Sequence, residues 1–493
     1  MLEKHIKSGR IGYRMSEEQG NQQKEVLIYV DNKTKEIKIP TVKKKLQAFY
    51  ETFYKQYINL APIDSKSNLE FFKSQFYQYI KEKLNSSIYG KKDNIILFLG
   101  AGASVLGNEW KYGKTMAYLA YKIIKDIYFD STDKYIEDEA NNPNNLLSFA
   151  EVASLSNLNA TDILSKLDKN FATEKNQSSK NEESSDSTQS SKKESDFDLE
   201  GFMSTLNLIS SLKKKKLKMV LDSDKNSGLS SSFVTRADAT RIKFQKKISD
   251  MVQYNNYPFD STVDEKFYHL AIMKQLMKWI DKKEGKLEVV TTNYDRVIEK
   301  AAEKGNLIVF DGFGFNIDAS FDDNWFDWNL SKNVKGLSTN EIEYNPNVID
   351  LLKIHGSIDW FAEKNNEDQG EKIVKRKGDI DKQVMIFPSS DKYRQSYDKP
   401  YFELLSRFQN MLHRPNSLLI TSGFSFGDKH ISRMIYDAVK ENNSLRVVVT
   451  DYNIENESFN TIRNMISNGY NISLLKAAMN GNDSEYGLYF YLR

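Results

Sequence analysis

A short apolar run early in the chain is followed by small residues and then by a helical repeat. Residues 95–99 are Ile, Ile, Leu, Phe and Leu, and residues 100–104 are Gly, Ala, Gly, Ala and Ser. From Met116 to Ile127, apolar side chains recur three or four positions apart, which is typical of a helix with one buried face. The pattern predicts a strand, a turn of small residues and a helix that begins near Lys114.

Similar units return in the C-terminal half of the chain. From Lys286 onward, short β-branched runs stop at polar or Gly positions, and most of them precede a helical pattern. Strands that alternate with helices predict a parallel sheet covered on both faces. The predicted fold class is therefore α/β, with a Rossmann-like, mostly parallel sheet and helices on both faces. The predicted strands lie in LEVVTTNYD, NLIVFDGFG, DLLKIHGS, KQVMIFPSS, SLLITSGFSFGD and LRVVVTDYN.

Two other regions precede and interrupt this core. Residues 24–40 contain two β-rich runs around DNKT, which predicts a hairpin, and residues 69–84 repeat apolar positions at helical spacing. Residues 174–198 are rich in Ser, Lys and Glu, which predicts a disordered loop. The predicted parts are an N-terminal α+β extension with a hairpin and helices (1–90), the first part of the core (91–130), a helical insertion (131–285) and the second part of the core (286–493).

The amino-acid composition excludes several kinds of site and of binding partner. The 493 residues include no cysteine, which excludes a disulfide framework, a cysteine-ligated zinc and a thiol nucleophile. The net charge of +2 gives no overall electrostatic reason to invoke nucleic acid or an acidic membrane. No window approaches the ~20 apolar residues of a membrane span, and the N-terminus lacks the apolar core of a signal peptide. We therefore expect a cytoplasmic protein that uses no metal and binds neither a membrane nor nucleic acid directly.

The small-residue turn is the first candidate for ligand binding, because ligands of parallel sheets bind beyond the carboxyl ends of the strands. Gly100 and Gly102 permit a close approach, and free N–H groups at the start of the next helix favour an anion such as a pyrophosphate. The motif lacks the third Gly of the dinucleotide fingerprint, so close strand–helix packing without a ligand stays an alternative. The binding candidates are Gly100, Ala101, Gly102, Ala103 and Ser104.

Polar residues close two later strands. Asn293 and Asp295 lie between an apolar run and a helix, where a turn residue and a helix N-cap are the ordinary explanations. His355 follows the apolar run of DLLKI and precedes a glycine. An imidazole at the end of a strand has the exposure and the near-neutral titration expected of a general base.

The stretch SLLITSGFSFGD repeats the strand, small turn and helix of the first unit. Gly423, Ser425 and Asp428 lie in its turn, where they are placed to reach a ribose or a phosphate. A helix cap explains Asp428 equally well.

In chain order, GAGAS, TTNYD, KIHGSIDW and SGFSFGD resemble the sirtuin family, and most closely the bacterial sirtuin-like NAD-consuming domains of antiphage defence systems. The resemblance covers roughly residues 93–125 and 286–493. It implies that NAD+ is bound as a substrate, with its pyrophosphate over the Gly-rich turn. It also implies that Asn293 orients the nicotinamide ribose and a water, that Asp295 contacts the nicotinamide carboxamide, and that His355 is the catalytic base.

The same resemblance places the adenosine half of NAD+ near the turn at 423–428. It makes Asp451 a candidate for the ribose or adenine, and Thr292, beside Asn293, joins the cofactor-binding candidates. Sirtuins that deacylate proteins carry a four-cysteine zinc module, which a chain without cysteine cannot build. The Gly-rich turn continues as VLGNEW instead of the family's GIPDFR-like sequence. Both departures favour cleavage of NAD+ without zinc over peptide deacylation.

The expected function is that of an NAD+ glycohydrolase, a toxic effector that depletes NAD+ in antiphage defence. The alternative is a non-catalytic module that senses NAD+ or ADP-ribose and gates a partner protein. A toxic effector has to be silent in healthy cells, so we expect a homo-oligomer activated by assembly or by a partner such as an ATPase. The insertion and the N-terminal region are the expected places for those contacts.

Overall fold

The computed structural model describes four N-terminal strands and much of the chain after residue 90. The described residues are 2–7, 10–19, 22–30, 37–38, 91–106, 112–113, 116–129, 146–156, 199–214, 231–254, 257–259, 266–334, 341–364, 371–375, 378–386, 400–452, 454, 456–480 and 487–492. The helical pattern at 69–84 and the predicted disordered loop at 174–198 lie outside the described residues, so both stay predictions.

The N-terminal strands form an antiparallel sheet of their own. They are β1 (Leu2–Lys7), β2 (Arg10–Gln19), β3 (Gln22–Val30) and β4 (Ile37–Lys38), in that spatial order. The predicted hairpin is confirmed, because β3 and β4 pair antiparallel with Val30 opposite Ile37. The first two strands were not predicted, since charged residues separate their apolar positions and no apolar run marks them.

The other strands of the described residues all follow residue 93. In chain order they are β5 (Asn94–Leu99), β6 (Leu287–Thr291), β7 (Ile308–Phe310), β8 (Ser331–Asn333), β9 (Ile342–Tyr344), β10 (Val348–Lys353), β11 (Gly356–Lys364), β12 (Glu371–Lys375), β13 (Gln383–Met385), β14 (Ser417–Ser422), β15 (Arg446–Asp451) and β16 (Ile472–Lys476).

The α-helices of the described residues alternate with these strands in the second half of the chain. They are α1 (Met116–Tyr128), α2 (Phe149–Leu155), α3 (Leu199–Lys214), α4 (Ser231–Val252), α5 (His269–Met277), α6 (Val297–Gly305), α7 (Tyr401–His413), α8 (Lys429–Glu441), α9 (Asn460–Ser467) and α10 (Leu488–Leu492). The helix predicted to begin near Lys114 is α1, which starts two positions later.

Within the described residues, seven strands form one sheet in the order β16-β15-β14-β5-β6-β10-β7. Every neighbouring pair in it runs parallel. This confirms the predicted α/β fold with a mostly parallel sheet. Because β5 lies between β14 and β6, the Gly-rich turn that follows β5 lies between the turns that follow those two strands.

Both faces of the sheet are covered, as a strand that is apolar at every position requires. Ile95, Leu97 and Leu99 point into one buried cluster, to which α5, α6 and α10 contribute. Ile96 and Phe98 point into a second cluster with α7, α8 and α9. Each of these side chains contributes roughly 1.5–3 kcal/mol when it is fully buried. The core of the protein therefore holds the carboxyl end of β5 rigidly in place.

The helices α1 to α4 build a third apolar cluster beside the sheet. Ile123 of α1 and Phe202 of α3 belong to it, and Tyr294 from the loop after β6 lies in the same cluster. Three helices of the predicted insertion, α2, α3 and α4, thus share an apolar cluster with the loop that carries Asn293. The boundaries of the four predicted parts stay predictions.

One predicted strand pairs differently from the expectation. Within KQVMIFPSS, Gln383–Met385 form β13, but β13 is not a member of the parallel sheet. It pairs antiparallel with β11, whose other neighbour is β12, in the order β12-β11-β13. Its apolar run is too short to distinguish these two environments, because periodicity alone does not reveal the direction of a partner strand. The small sheet lies directly after His355, since β11 begins at Gly356.

Candidate active site

The register of the parallel sheet places Asn293 and His355 at the same level along the strand direction, just beyond the carboxyl ends of β6 and β10. Thr291 of β6 pairs with Leu99 of β5 on one side and with Lys353 of β10 on the other. Asn293 and His355 each lie two residues beyond these paired positions. The site predicted from motifs about sixty residues apart is thus assembled on neighbouring strands, next to the Gly-rich turn.

Three side chains connect the Gly-rich turn to the loop after β6. The side-chain amide of Asn293 donates to the carbonyl of Gly100 at 2.9 Å and to Ser104 Oγ at 3.0 Å. Ser104 Oγ in turn donates to Asp295 Oδ2 at 2.7 Å. Asn293, Ser104 and Asp295 therefore form one hydrogen-bonded network, in which the side-chain amide of Asn293 makes both of its hydrogen bonds to the Gly-rich turn.

Asp295 is buried and has a second function at the start of α6. Its Oδ1 accepts the N–H of Val297 at 3.0 Å, so it caps the first turn of the helix from one residue before the N-cap position. Burial raises the pKa of Asp295, while the Ser104 hydrogen bond and the charge of Lys353 act in the opposite direction. The pKa of this buried carboxyl is thus perturbed, which is typical of functional sites and of structural networks alike.

His355 lies close to a residue that follows a distant strand. Its Nε2 lies 3.4 Å from Oδ2 of Asp428. Only 8% of His355 is exposed, so the expectation of an exposed imidazole is wrong, because the end of β10 and the start of β11 are both buried. Asp428 is also the N-cap of α8, where it accepts the N–H groups of His430 and Ile431 at 3.0 and 3.3 Å. The helix-cap explanation of Asp428 is confirmed, and its contact with His355 was not foreseen.

The Gly-rich turn packs against the turn after β14. Gly423 adopts a φ of +63°, and a Cβ there would lie 2.1 Å from the backbone nitrogen of Ala103. Gly100 and Gly102 donate their N–H groups to the carbonyls of Ser422 and Gly423 at 3.0 and 2.9 Å. The N–H groups of these two glycines are thus accepted by the neighbouring turn, and the close approach expected of Gly100 and Gly102 is an approach to that turn.

The Gly-rich turn contains one short helical element. Residues Ala101–Ser104 form a 3₁₀ turn, and the predicted helix that follows is α1 (Met116–Tyr128). Ala103 and Ser104 are buried, whereas Ala101 and Gly102 are exposed. Close packing explains the small residues at 100 and 423. The exposed part of the turn is the part left for a ligand.

The remaining candidates lie along the same edge of the sheet. Thr292 donates its N–H to the carbonyl of Leu99 at 3.1 Å. Ser425 is exposed, and Asp451 is the last residue of β15, half-buried. Gly423 donates to the Thr450 carbonyl at 3.3 Å, which links the turn after β14 to the end of β15. The contacts of these residues with a nucleotide stay predictions.

Sequence reasoning missed a buried lysine behind this edge. Lys353 is the last residue of β10 and is 1% exposed, and its ammonium contacts the loop that carries Asn293. The signal was present in the sequence, since a charged residue interrupts the otherwise apolar LLKI just before His355. Such a charge is retained in a core only where it is paired.

The described residues include neither a group of metal-ligating side chains nor a membrane-spanning helix. None of their His, Asp and Glu side chains form a group of three or more that could hold a metal ion. No helix in the described part of the chain has both the length and the apolar character needed to cross a membrane.

Residues 287–475 match the family model of the SIR2-like domain. The chain thus contains a sirtuin-like domain, in agreement with the resemblance of its motifs. The matched range includes Asn293, His355 and the turn after β14, and it begins after the Gly-rich turn. SIR2-like domains bind NAD+ and members of the family are NAD-dependent enzymes, so the match is compatible with an NAD-related activity. No curated protein matches the chain.

Proposed function

We propose that this protein is an NAD+ glycohydrolase, which cleaves the bond between nicotinamide and ribose with water as the acceptor. One observation carries the proposal: Asn293 and His355 lie at equivalent positions past the paired residues Thr291 and Lys353, beside the Gly-rich turn. An amide and an imidazole at one height beside an exposed turn suit a ribose whose diphosphate lies over residues 101 and 102.

The chemistry requires little covalent assistance from the protein. The C1′–N bond breaks with its electron pair going to the pyridinium nitrogen, which leaves neutral nicotinamide. Water adds to C1′, and His355 accepts the proton that this water or a ribose hydroxyl releases. Orientation of the sugar and stabilisation of the oxocarbenium-like state are the main contributions of the site. General-base catalysis typically adds ~10²–10⁴ in rate.

The test is nicotinamide release by the purified chain and by two variants, His355→Ala and Asn293→Ala. We expect both variants to lose most of the turnover. His413→Gln is a matched control, because this histidine lies on the exposed end of α7, where it contacts Gln409 and Glu441. Equal turnover in the wild type and in both site variants would end the proposal.

A specific observation supports the alternative, a non-catalytic sensor of NAD+ or ADP-ribose. Asn293 and Asp295 both bond Ser104 in this structure, so the polar groups of the site already have protein partners. A sensor binds the nucleotide without turning it over. Calorimetry of NAD+ binding followed by analysis of the recovered nucleotide distinguishes the two functions, since intact NAD+ after prolonged binding supports the sensor.

We further propose that cleavage serves antiphage defence by depleting cellular NAD+, with the chain acting as a homo-oligomer under the control of a partner such as an ATPase. The cluster that α2, α3 and α4 of the insertion share with Tyr294 supports this, because contacts made by the insertion would reach the Asn293 loop. The test is the NAD+ content of infected bacteria that carry the wild-type gene or His355→Ala, together with its neighbouring genes. NAD+ levels that stay constant in both strains would contradict the role in defence.

A further inference from the structure

Lys353 places a positive charge in the core directly behind the candidate active site. It is the last residue of β10, two positions before His355, and every residue of that strand is buried. Removing an ammonium from water costs several kcal/mol, and an apolar side chain of similar volume is often as stable or more stable at such a position. The lysine is therefore not explained by the stability of the sheet.

The partners of the ammonium are unusual for a structural ion pair. Lys353 Nζ donates to the backbone carbonyl of Asp295 at 2.5 Å and lies 3.4 Å from that of Tyr294. These two carbonyls belong to the loop that begins with Asn293. A bond to a backbone carbonyl fixes the position of the chain itself, whichever side chain it carries.

Two other groups hold the ammonium in place. Ser357 Oγ from β11 lies 2.7 Å from Nζ, and Glu299 Oε1 from α6 lies 2.9 Å away. The ammonium thus connects the strand that leads to His355, the strand that follows it and the helix that follows Asn293. One side chain therefore fixes these three segments relative to one another.

We propose that Lys353 is a positioning residue, which holds the Asn293–Asp295 loop at the height of His355 for the cleavage of NAD+. The inference rests on the proposed function and adds to it a residue that does not touch the substrate. Lys353 also opposes the effect of burial on the pKa of Asp295, so the same ammonium favours the ionised form of that carboxyl.

The test compares nicotinamide release by the wild type and by Lys353→Met, which keeps the apolar stem and removes the ammonium. Misplacement of a reacting group by about 1 Å costs about 10²-fold, so we expect kcat to fall by that factor. We expect KM to change less than kcat, because the Gly-rich turn, where the diphosphate is proposed to bind, is not altered by the variant.

A second variant separates positioning from simple neutralisation of Glu299. In the double variant Lys353→Met/Glu299→Gln the Glu299 carboxylate that lost its ion-pair partner is removed as well, so the double variant is destabilised less than the single variant. If Lys353 only neutralises Glu299, the double variant regains wild-type kcat. If Lys353 holds the carbonyls, kcat stays low.

A matched control is Lys286→Met, which removes another largely buried ammonium, paired with Asp350 at 2.8 Å just before β6 begins. We expect it to lose stability and keep its kcat. Hydrogen exchange of the backbone amides at 292–296 is measured in the same samples. We expect exchange to be faster than in the wild type in the two variants that lack Lys353, and unchanged in Lys286→Met.

The outcomes are distinct. Wild-type kcat in Lys353→Met or in the double variant, or unchanged exchange at 292–296, overturns the inference. A wild type that releases no nicotinamide overturns the proposed function instead, and the exchange measurement still decides whether Lys353 holds the loop.

Discussion

The imidazole of His355 and the carboxylate of Asp428 lie 3.4 Å apart, although two strands separate those that carry them. His355 follows β10 and Asp428 follows β14, while β6 and β5 lie between. The pair therefore spans the ends of the strands that lead to Asn293 and to the Gly-rich turn. A carboxylate at this distance stabilises an imidazole that has gained a proton, as in hydrolytic triads.

Asp428→Asn tests the contribution of this contact. Asn caps helices as well as Asp, so we expect the free energy of unfolding to change by less than about 0.5 kcal/mol. Nicotinamide release falls by about tenfold to 10²-fold, as part of the ~10²–10⁴ that a general base supplies. Asp428→Ala is the comparison, since it also loses the cap and about 1 kcal/mol of stability. Full turnover by Asp428→Asn would show that the 3.4 Å contact has no role in the reaction.

The strands and helices that carry the candidate site were predictable wherever the local pattern of apolar residues determines them. The apolar run before Gly100 predicts β5, the stripe of Ile431, Ile435 and Ala438 predicts α8, and the strand-helix alternation predicts the parallel sheet. The candidate ligand-binding residues are those that come directly after these strands, because the carboxyl ends of parallel strands lie at one edge of the sheet.

Contacts that join distant segments were not predictable in the same way. The proximity of His355 to Asp428 depends on the spatial order of the strands, which the chain order does not specify. The acceptors of the N–H groups of Gly100 and Gly102 lie more than three hundred residues away. The antiparallel pairing of β13 depends on its neighbour β11, which carries no signal of strand direction. Lys353 had a sequence signal, but its partners were set by packing alone.

Gly423 is expected to be essential for the packing of the two turns. Its φ of +63° strains any other residue, and an added Cβ would also lie 2.1 Å from the nitrogen of Ala103. Gly469→Ala is the matched control, because its φ is +80° with nothing within 4 Å of an added Cβ. An alanine in the left-handed region costs about 1–2 kcal/mol. In Gly469→Ala this backbone strain is the whole expected loss of stability, since an added Cβ meets no other atom.

Urea unfolding of the two variants measures the difference. We expect Gly423→Ala to lose clearly more stability than Gly469→Ala, because the clash forces the turns apart in addition to the strain. NAD+ affinity should fall in Gly423→Ala and stay unchanged in Gly469→Ala. Equal losses of stability would mean that the two turns separate at no cost.

Ser104→Ala is predicted to shift the pH dependence of turnover. Burial raises the pKa of Asp295, and the hydrogen bond from Ser104 opposes that rise. Loss of the hydroxyl therefore raises the pKa further, so a higher pH is needed to ionise the carboxyl. The acidic limb of the kcat/KM profile moves to higher pH, while in Asp295→Asn this titration is absent. A limb that stays in place in Ser104→Ala would show that Asp295 does not act as a carboxylate in the reaction.

Asp350 is expected to give the folding stability an unusual pH dependence. It lies in β10 opposite Glu288 of β6. Burial raises the pKa of Asp350 to about 7, which Lys286 opposes and Glu288 reinforces. An unfolded carboxyl titrates near 3.9, so between about pH 4 and pH 7 the unfolded chain has lost a proton that the folded protein keeps. Stability from this group is complete below pH 4 and is lost as the pH rises to 7.

Asp350→Asn removes this titration. Urea unfolding between pH 5 and pH 8 should show the wild type losing up to about 1.4 kcal/mol per pH unit relative to the variant until pH 7, with parallel curves above it. Asp379→Asn, at an exposed position before β13, is the control and should follow the wild type. Parallel curves for the wild type and Asp350→Asn across the whole range would show that the folded carboxyl is ionised throughout, held in that state by Lys286 against the cost of burial.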